Sequence, residues 1–178
     1  MLFIAPHNDD EALWGAYTLM RDKPLVFVAT ISKRQGDNGL ERLRESYQAC
    51  KFLDCPMISS GIYDSELTEE NLTEILKHFV SEDIIVFAPA YYENGHPDHN
   101  ICSNVASKLF NNVIYYNSYR QIDGKTVLDT SGVPSLAEMK NERHEARKHK
   151  MLQFYKTQIG RDQTKPFFLN VSKEYYAE

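Results

Sequence analysis

The chain has 178 residues, 42% of them hydrophobic and 25% charged, which fits one globular domain over 1–178 and excludes disorder, collagen-like repeats and coiled coil as the main architecture. With 20 basic and 25 acidic residues the net charge is −5, which argues against nucleic acid or a membrane surface as partner. The cysteines, Cys50, Cys55 and Cys102, make no disulfide framework, Met1–Pro6 lacks the basic start of a signal peptide, and no apolar run is long enough to span a bilayer, so the expected location is cytoplasmic.

In chain order, Leu2–Ala5 is a short apolar run that predicts a strand, and Leu13, Ala16, Tyr17 and Met20 form one helical stripe behind it. Leu25–Ile31 predicts a second strand, followed by a stripe of Leu40, Leu43, Tyr47 and Cys50. Leu72, Ile75, Leu76, Phe79 and Val80 mark a third helix, with Thr68 as its N-cap and Glu69 and Glu70 in its first turn. Asp83–Pro89 is a strand, Ile101, Val105 and Leu109 a helix, and Val113–Tyr116 a strand. Asp123–Pro134, with Gly124, Gly132 and Pro134, departs from this rhythm. Ser135 and Glu138 then have capping-box spacing and open a last helix running to about Lys156. Strands apolar on both faces alternating with amphipathic helices predict right-handed βαβ units and a doubly wound, mostly parallel α/β sheet.

In such sheets functional groups gather where strands end and helices begin. Two of these junctions are dense in histidine and carboxylate: His7-Asn8-Asp9-Asp10-Glu11 after the first strand, and His96-Pro97-Asp98-His99-Asn100 after the strand ending near Pro89. Those groups bind a borderline-soft divalent ion such as zinc. His7 and Asp10 are three apart across a strand-to-helix turn and can converge on one point while Asp9 aims elsewhere. Pro97 suits the first helical position, which leaves His96 before the helix and His99 in its first turn. Three ligands drawn from two junctions leave a position for water, as in catalytic zinc sites. The plainer reading is that His7, Asp9 and Asp10 cap a helix and that His96 and His99 lie on a surface loop. It requires two independent clusters at one end of one sheet.

The motif Pro6-His7-Asn8-Asp9-Asp10-Glu11 resembles the Pro-His-Pro-Asp-Asp-Glu signature of the PIG-L/LmbE-like zinc-dependent N-deacetylases, which remove acetyl groups from N-acetylglucosaminyl compounds. His96-Pro97-Asp98-His99 matches their second motif. Arg42-x-x-Glu45-x-x-x-Ala49 is similar to the family's helix after the second strand, and Lys148–Gln158 to its C-terminal helix ending in Ser-Gln. The resemblance implies a Rossmann-like three-layer α/β fold and a ligand set of His7, Asp10 and His99 for Zn2+ or another divalent transition metal. It implies Asp9 as general base and His96 as the group that stabilises the oxyanion, held by Asp98 in its charged form. The implied partner is a small-molecule N-acetylated sugar or sugar conjugate.

Asn8 stands where the family usually has proline, Thr30-Ile-Ser-Lys-Arg lacks a Thr-Asp-Gly often seen there, and Asn94 stands where some relatives carry an aromatic residue, a place Tyr91 or Tyr92 could fill. Lys140–Lys150, with five Lys/Arg against two Glu, reads first as a solvated helix face and second as a phosphate contact. Gly36-Asp-Asn-Gly39 reads as a turn near the site, the cysteines as core, and Trp14 and Tyr17 as packing. The expected activity is hydrolysis of an acetamide on an amino sugar. The alternatives are the same centre acting on another amide or ester, a non-catalytic metal-binding module, and a metal-free nucleotide-binding domain, which the missing glycine fingerprint disfavours.

Overall fold

The structure, a computed structural model, describes residues 1–32, 39–122, 125–127, 142–159, 174, 176 and 177. In chain order it runs β1 (Leu2–Ala5), α1 (Asp10–Trp14), α2 (Ala16–Asp22), β2 (Leu25–Val28), α3 (Gly39–Phe52), β3 (Met57–Ser59) and α4 (Glu69–Leu76), the last extended by a 3-10 turn. Then follow β4 (Ile85–Pro89), α5 (Pro97–Leu109), β5 (Asn112–Tyr116), β6 (Arg120–Ile122), β7 (Lys125–Val127), α6 (Glu142–Leu152), α7 (Lys156–Ile159) and β8 (Tyr176–Ala177). The main sheet has the order β3-β2-β1-β4-β5-β8. Its first five strands are parallel, and β8 lies antiparallel on β5. The Rossmann-like, mostly parallel α/β fold is therefore present.

The central strand β1 is buried on both faces, and its alternation divides the core. Phe3 and Ala5 join the cluster built with α1, α2, α3 and α6, while Leu2 and Ile4 join the one built with α4 and α5. That gives three layers. Phe3 pairs with Val26 of β2 and Phe87 of β4, and its ring stacks on Tyr116 at 4.9 Å.

The stripe expected as one helix is two, α1 and α2, broken at Gly15. A Cβ at position 15 would lie 2.2 Å from Phe3 Cζ, so the chain passes the core ring only where it has no side chain. The second stripe is corrected: Cys50 is buried as expected, but Leu40 and Tyr47 are exposed, and α3 buries Arg42, Glu45, Ser46 and Ala49 in their place. Thr68 caps α4, accepting the Asn71 N–H while the Asn71 side chain accepts the Thr68 N–H. The second strand ends at Val28, with Ile31 bridging to Tyr63 alone. The helix expected to run to about Lys156 is α6, which ends at Leu152, and the short α7 begins at Lys156. Strands β3, β6, β7 and β8 were absent from the sequence reading, and β6, just before the irregular stretch, pairs antiparallel with β7 inside it as a separate two-stranded sheet. The Ser135–Glu138 box, most of Asp123–Pro134 and residues 36–38 lie outside the described residues. All three cysteines are free and buried. Among the described residues no helix is long and apolar enough to cross a membrane.

Candidate functional site

The strand order 3-2-1-4-5 reverses between β1 and β4, and the two polar junctions leave the sheet from the carboxyl ends of those two neighbours. His7, Asp9 and Asp10 come from the turn between β1 and α1. His96 is the N-cap residue of α5, Pro97 its first residue, and Asp98 and His99 lie in its first turn. All six candidate residues thus meet at one end of the sheet.

Three atoms from three of them form a near-equilateral triangle. His7 Nδ1 is 3.2 Å from Asp10 Oδ2, His99 Nε2 is 3.2 Å from the same oxygen, and His99 Nε2 is 3.3 Å from His7 Nδ1. Donors on a tetrahedral Zn2+, with bonds of ~2.0–2.1 Å, lie about 3.3–3.4 Å apart. Each donor side chain is also held by its other polar atom: His7 Nε2 by Asp98 Oδ2 at 3.1 Å, Asp10 Oδ1 by the Trp14 indole N–H at 2.9 Å, and His99 Nδ1 by Ser118 Oγ at 3.0 Å. Such outer partners fix tautomer and orientation in metal sites. The donor set therefore fits a divalent transition metal. A second grouping, His7, His96 and Asp98, is also close enough to hold an ion. It is looser, because His96 Nδ1 lies 3.9 Å from Asp98 Oδ2 and already accepts the Asp98 backbone N–H at 3.2 Å.

The Asp98 carboxylate faces His7, while its backbone N–H donates to His96 Nδ1. With Nδ1 accepting, the neutral His96 ring carries its proton on Nε2. Burial and the neighbouring His7 and His99 push His96 down to about 4, which favours its neutral form. At His7, burial works against the charge, but hydrogen bonds to Asp10 and Asp98 outweigh it and raise the ring to about 10. Burial works against the Asp10 charge as well, and His99 and His7 overcome it, holding that carboxyl well below the usual range.

Asp9 stands outside the triangle. Its backbone has φ 143°, a left-handed value that costs a non-glycine residue about 1–3 kcal/mol, and its side chain does not cap α1. Two buried groups hold it there. Arg42 Nη2 of α3 reaches Asp9 Oδ2 at 3.2 Å and the Asn8 carbonyl at 3.0 Å, and Glu11 Oε2 accepts the Asp9 N–H at 3.0 Å. The Glu11 carboxylate is itself held by the hydroxyls of Ser46 and Tyr155. Burial pushes the Asp9 carboxyl up to about 7, against the pull of Arg42. Among the described residues nothing pairs the buried Asn8 amide atoms.

The model for the family described as GlcNAc-PI de-N-acetylase, PIG-L, matches residues 2–110, which contain every residue of the triangle together with Asp9, His96 and Asp98. The chain belongs to the PIG-L family. No curated protein matches it. Among solved structures it is similar to a deacetylase triple mutant from the teicoplanin biosynthetic pathway, with TM-score 0.66 and 17% identity over 93% of this chain and 86% of that one. It is similar to the A40926 pseudoaglycone deacetylase, with TM-score 0.64 and 15% identity over 98% and 94%. A 4-carboxy-2-hydroxymuconate hydratase from Pseudomonas putida has TM-score 0.65 and 10% identity over 96% and 82%. At these identities the likeness is one of fold.

For this PIG-L chain the sequence pointed to six site residues and missed their supports. Arg42 and Glu45 entered only through the resemblance, although their spacing with Ala49, three and four residues apart, is itself a helical face. Trp14 packs in the core as expected, and its indole also holds Asp10. Tyr155 entered only within the Lys148–Gln158 resemblance, and Ser118 carried no signal. Tyr119 lies with its ring centroid 5.4 Å from His99 and 6.4 Å from His96, an aromatic flank to the site. A cavity of 720 Å³ lined by Glu41, Arg44, Gln48, Lys150 and Phe154 holds none of the six.

Proposed function

We propose that this protein is a zinc-dependent N-deacetylase that hydrolyses the acetamide of an amino sugar, of N-acetylglucosamine type, or of its conjugate. His7, Asp10 and His99 hold the ion, Asp9 is the general base, and His96 stabilises the oxyanion. The observation that carries this reading is the triangle of donors at 3.2, 3.2 and 3.3 Å with the Asp9 carboxylate beside it but outside it. The hydratase shares the fold as well as the deacetylases do, so the choice of chemistry rests on the family match and the site.

Zn2+, when bound, supplies Lewis acidity that polarises the acetamide carbonyl and makes water acidic enough to attack near neutral pH. Asp9 takes the proton from the attacking water; a carboxyl raised to about 7 is matched to that task at neutral pH. As the carbonyl carbon becomes tetrahedral, its oxygen gains charge, and His96 Nε2–H donates to it. Asp9 then passes its proton to the departing nitrogen as the C–N bond breaks, leaving acetate and the free amine. Asp98 acts on both sides, orienting His7 through its carboxylate and His96 through its backbone.

Residues 1–178 act in this reading as one catalytic domain on a small-molecule partner, in the cytoplasm, where the three free cysteines would stay reduced. The test is mass spectrometry of a panel of N-acetylated sugars, sugar nucleotides and thiol-sugar conjugates after incubation with metal-loaded protein. Metal-dependent loss of one acetyl group from a member of the panel supports the proposal. Turnover unchanged by a chelator contradicts it.

A further inference from the structure

The family match ends at residue 110, and a buried polar knot lies beyond it. Lys148 of α6, 1% exposed, donates to Glu174 Oε1 at 2.7 Å and to the Leu13 carbonyl at 2.8 Å, with its ammonium 5.0 Å from the Tyr17 ring. Glu174 accepts the Tyr17 N–H with both oxygens, at 3.1 and 3.0 Å. The Tyr176 hydroxyl reaches Glu174 Oε2 at 2.6 Å and the Trp14 carbonyl at 3.2 Å, and accepts from Thr18 at 2.6 Å. The sequence reading of Lys148 as part of a solvated face or a phosphate contact is corrected here.

These contacts converge on the break between α1 and α2. The last carbonyls of α1, at Leu13 and Trp14, and the first amides of α2 are freed where Gly15 interrupts the helix. Lys148, Tyr176 and Glu174 satisfy them, and Trp14 in turn holds Asp10 Oδ1. We propose that Lys148, Glu174 and Tyr176 form a latch by which the C-terminal segment positions Asp10 for metal binding through Trp14. This rests on Asp10 being a metal ligand, as proposed above. The three are positioning residues.

The experiment measures Zn2+ affinity by chelator competition, and the visible spectrum of the Co2+-loaded protein, in Lys148→Met, Trp14→Phe and the double variant. Lys148→Met/Glu174→Leu removes the stranded carboxylate and gives a folded comparison should Lys148→Met fail to fold. Leu72→Ala, in the opposite layer, serves as a destabilised control. The latch predicts that Lys148→Met, or its paired form, lowers Zn2+ affinity about tenfold and alters the Co2+ band. Trp14→Phe should then absorb most of that loss, leaving the double variant within about twofold of the weaker single. Leu72→Ala should lower Tm with affinity unchanged. Affinity within about twofold of wild type despite a lowered Tm, or losses that simply multiply, overturns the latch. Asp10→Ala keeps the two claims apart: loss of Zn2+ there, with affinity kept in Lys148→Met, overturns the latch alone. Full Zn2+ binding by Asp10→Ala overturns the ligand reading and the latch with it.

Discussion

Arg42 holds Asp9 by side chain and backbone at once, its Nη2 lying 3.2 Å from Asp9 Oδ2 and 3.0 Å from the Asn8 carbonyl. One guanidinium from α3 thus fixes the strained turn between two proposed ligands. Arg42→Met should cost about 3–5 kcal/mol of stability unless Asp9 becomes protonated. It should also move the acid limb of turnover to higher pH. The sign follows from the pair: Arg42 lowers the Asp9 pKa, its loss raises it, and Asp9 accepts a proton only when ionised. Turnover near pH 7 should fall by about 10- to 100-fold, recovering in part at higher pH.

Metal binding should release a proton from His7. The ring titrates near 10 because Asp10 and Asp98 hold its charged form against burial, so at neutral pH an ion must displace that proton. Affinity should therefore rise about tenfold per pH unit between roughly pH 6 and 8, and calorimetry in buffers of different ionisation enthalpy should show about one proton released.

Asp98→Asn should weaken metal binding. Its Oδ2 sits 3.1 Å from His7 Nε2 and 3.9 Å from His96 Nδ1, so its loss is felt first by the proposed ligand. A loss of about 10- to 100-fold in Zn2+ affinity is expected, as for other outer partners of metal-bound histidine. His96→Ala should leave affinity nearly intact and lower turnover, while His7→Ala, Asp10→Ala and His99→Ala should each lose more than Asp98→Asn does.

Gly15→Ala tests how the core shapes the site. The new methyl meets Phe3 Cζ at 2.2 Å, and Phe3 is stacked on Tyr116, which leaves the ring little room to move. A loss of about 1–3 kcal/mol is expected in denaturant unfolding, partly recovered by Phe3→Leu in the same chain.

The parallel core was legible because its strands are continuous apolar runs, Leu2–Ala5 buried on both faces and Val113–Tyr116 mostly half-buried. Strands β3 and β8 were not, since three and two residues are too few to show a period. The α3 face was misread for a different reason. Leu40 and Tyr47 obey helical spacing, yet the buried side carries Arg42, Glu45 and Ser46, because these polar groups pair there with Asp9, Thr157 and Glu11. Apolar periodicity cannot see a buried face whose partners are polar. His7, Asp10 and His99 were legible for the converse reason: their two clusters follow strands that the hydrophobic pattern already placed in one sheet. The Asp98–His7 contact was not, since which histidine a carboxylate faces depends on the side-chain geometry of three elements.

The central claim is that Asp9 performs chemistry on a substrate acetamide while His7, Asp10 and His99 hold the ion. The most direct measurement is the turnover and metal content of Asp9→Asn on the best N-acetylated substrate, with metal in excess. Asparagine keeps the shape and removes the basicity. Turnover should fall by about 10² to 10⁴ with metal content and substrate affinity near wild type. An Asp9→Asn protein that keeps more than about a tenth of wild-type turnover, or that loses its metal as Asp10→Ala does, would contradict that assignment.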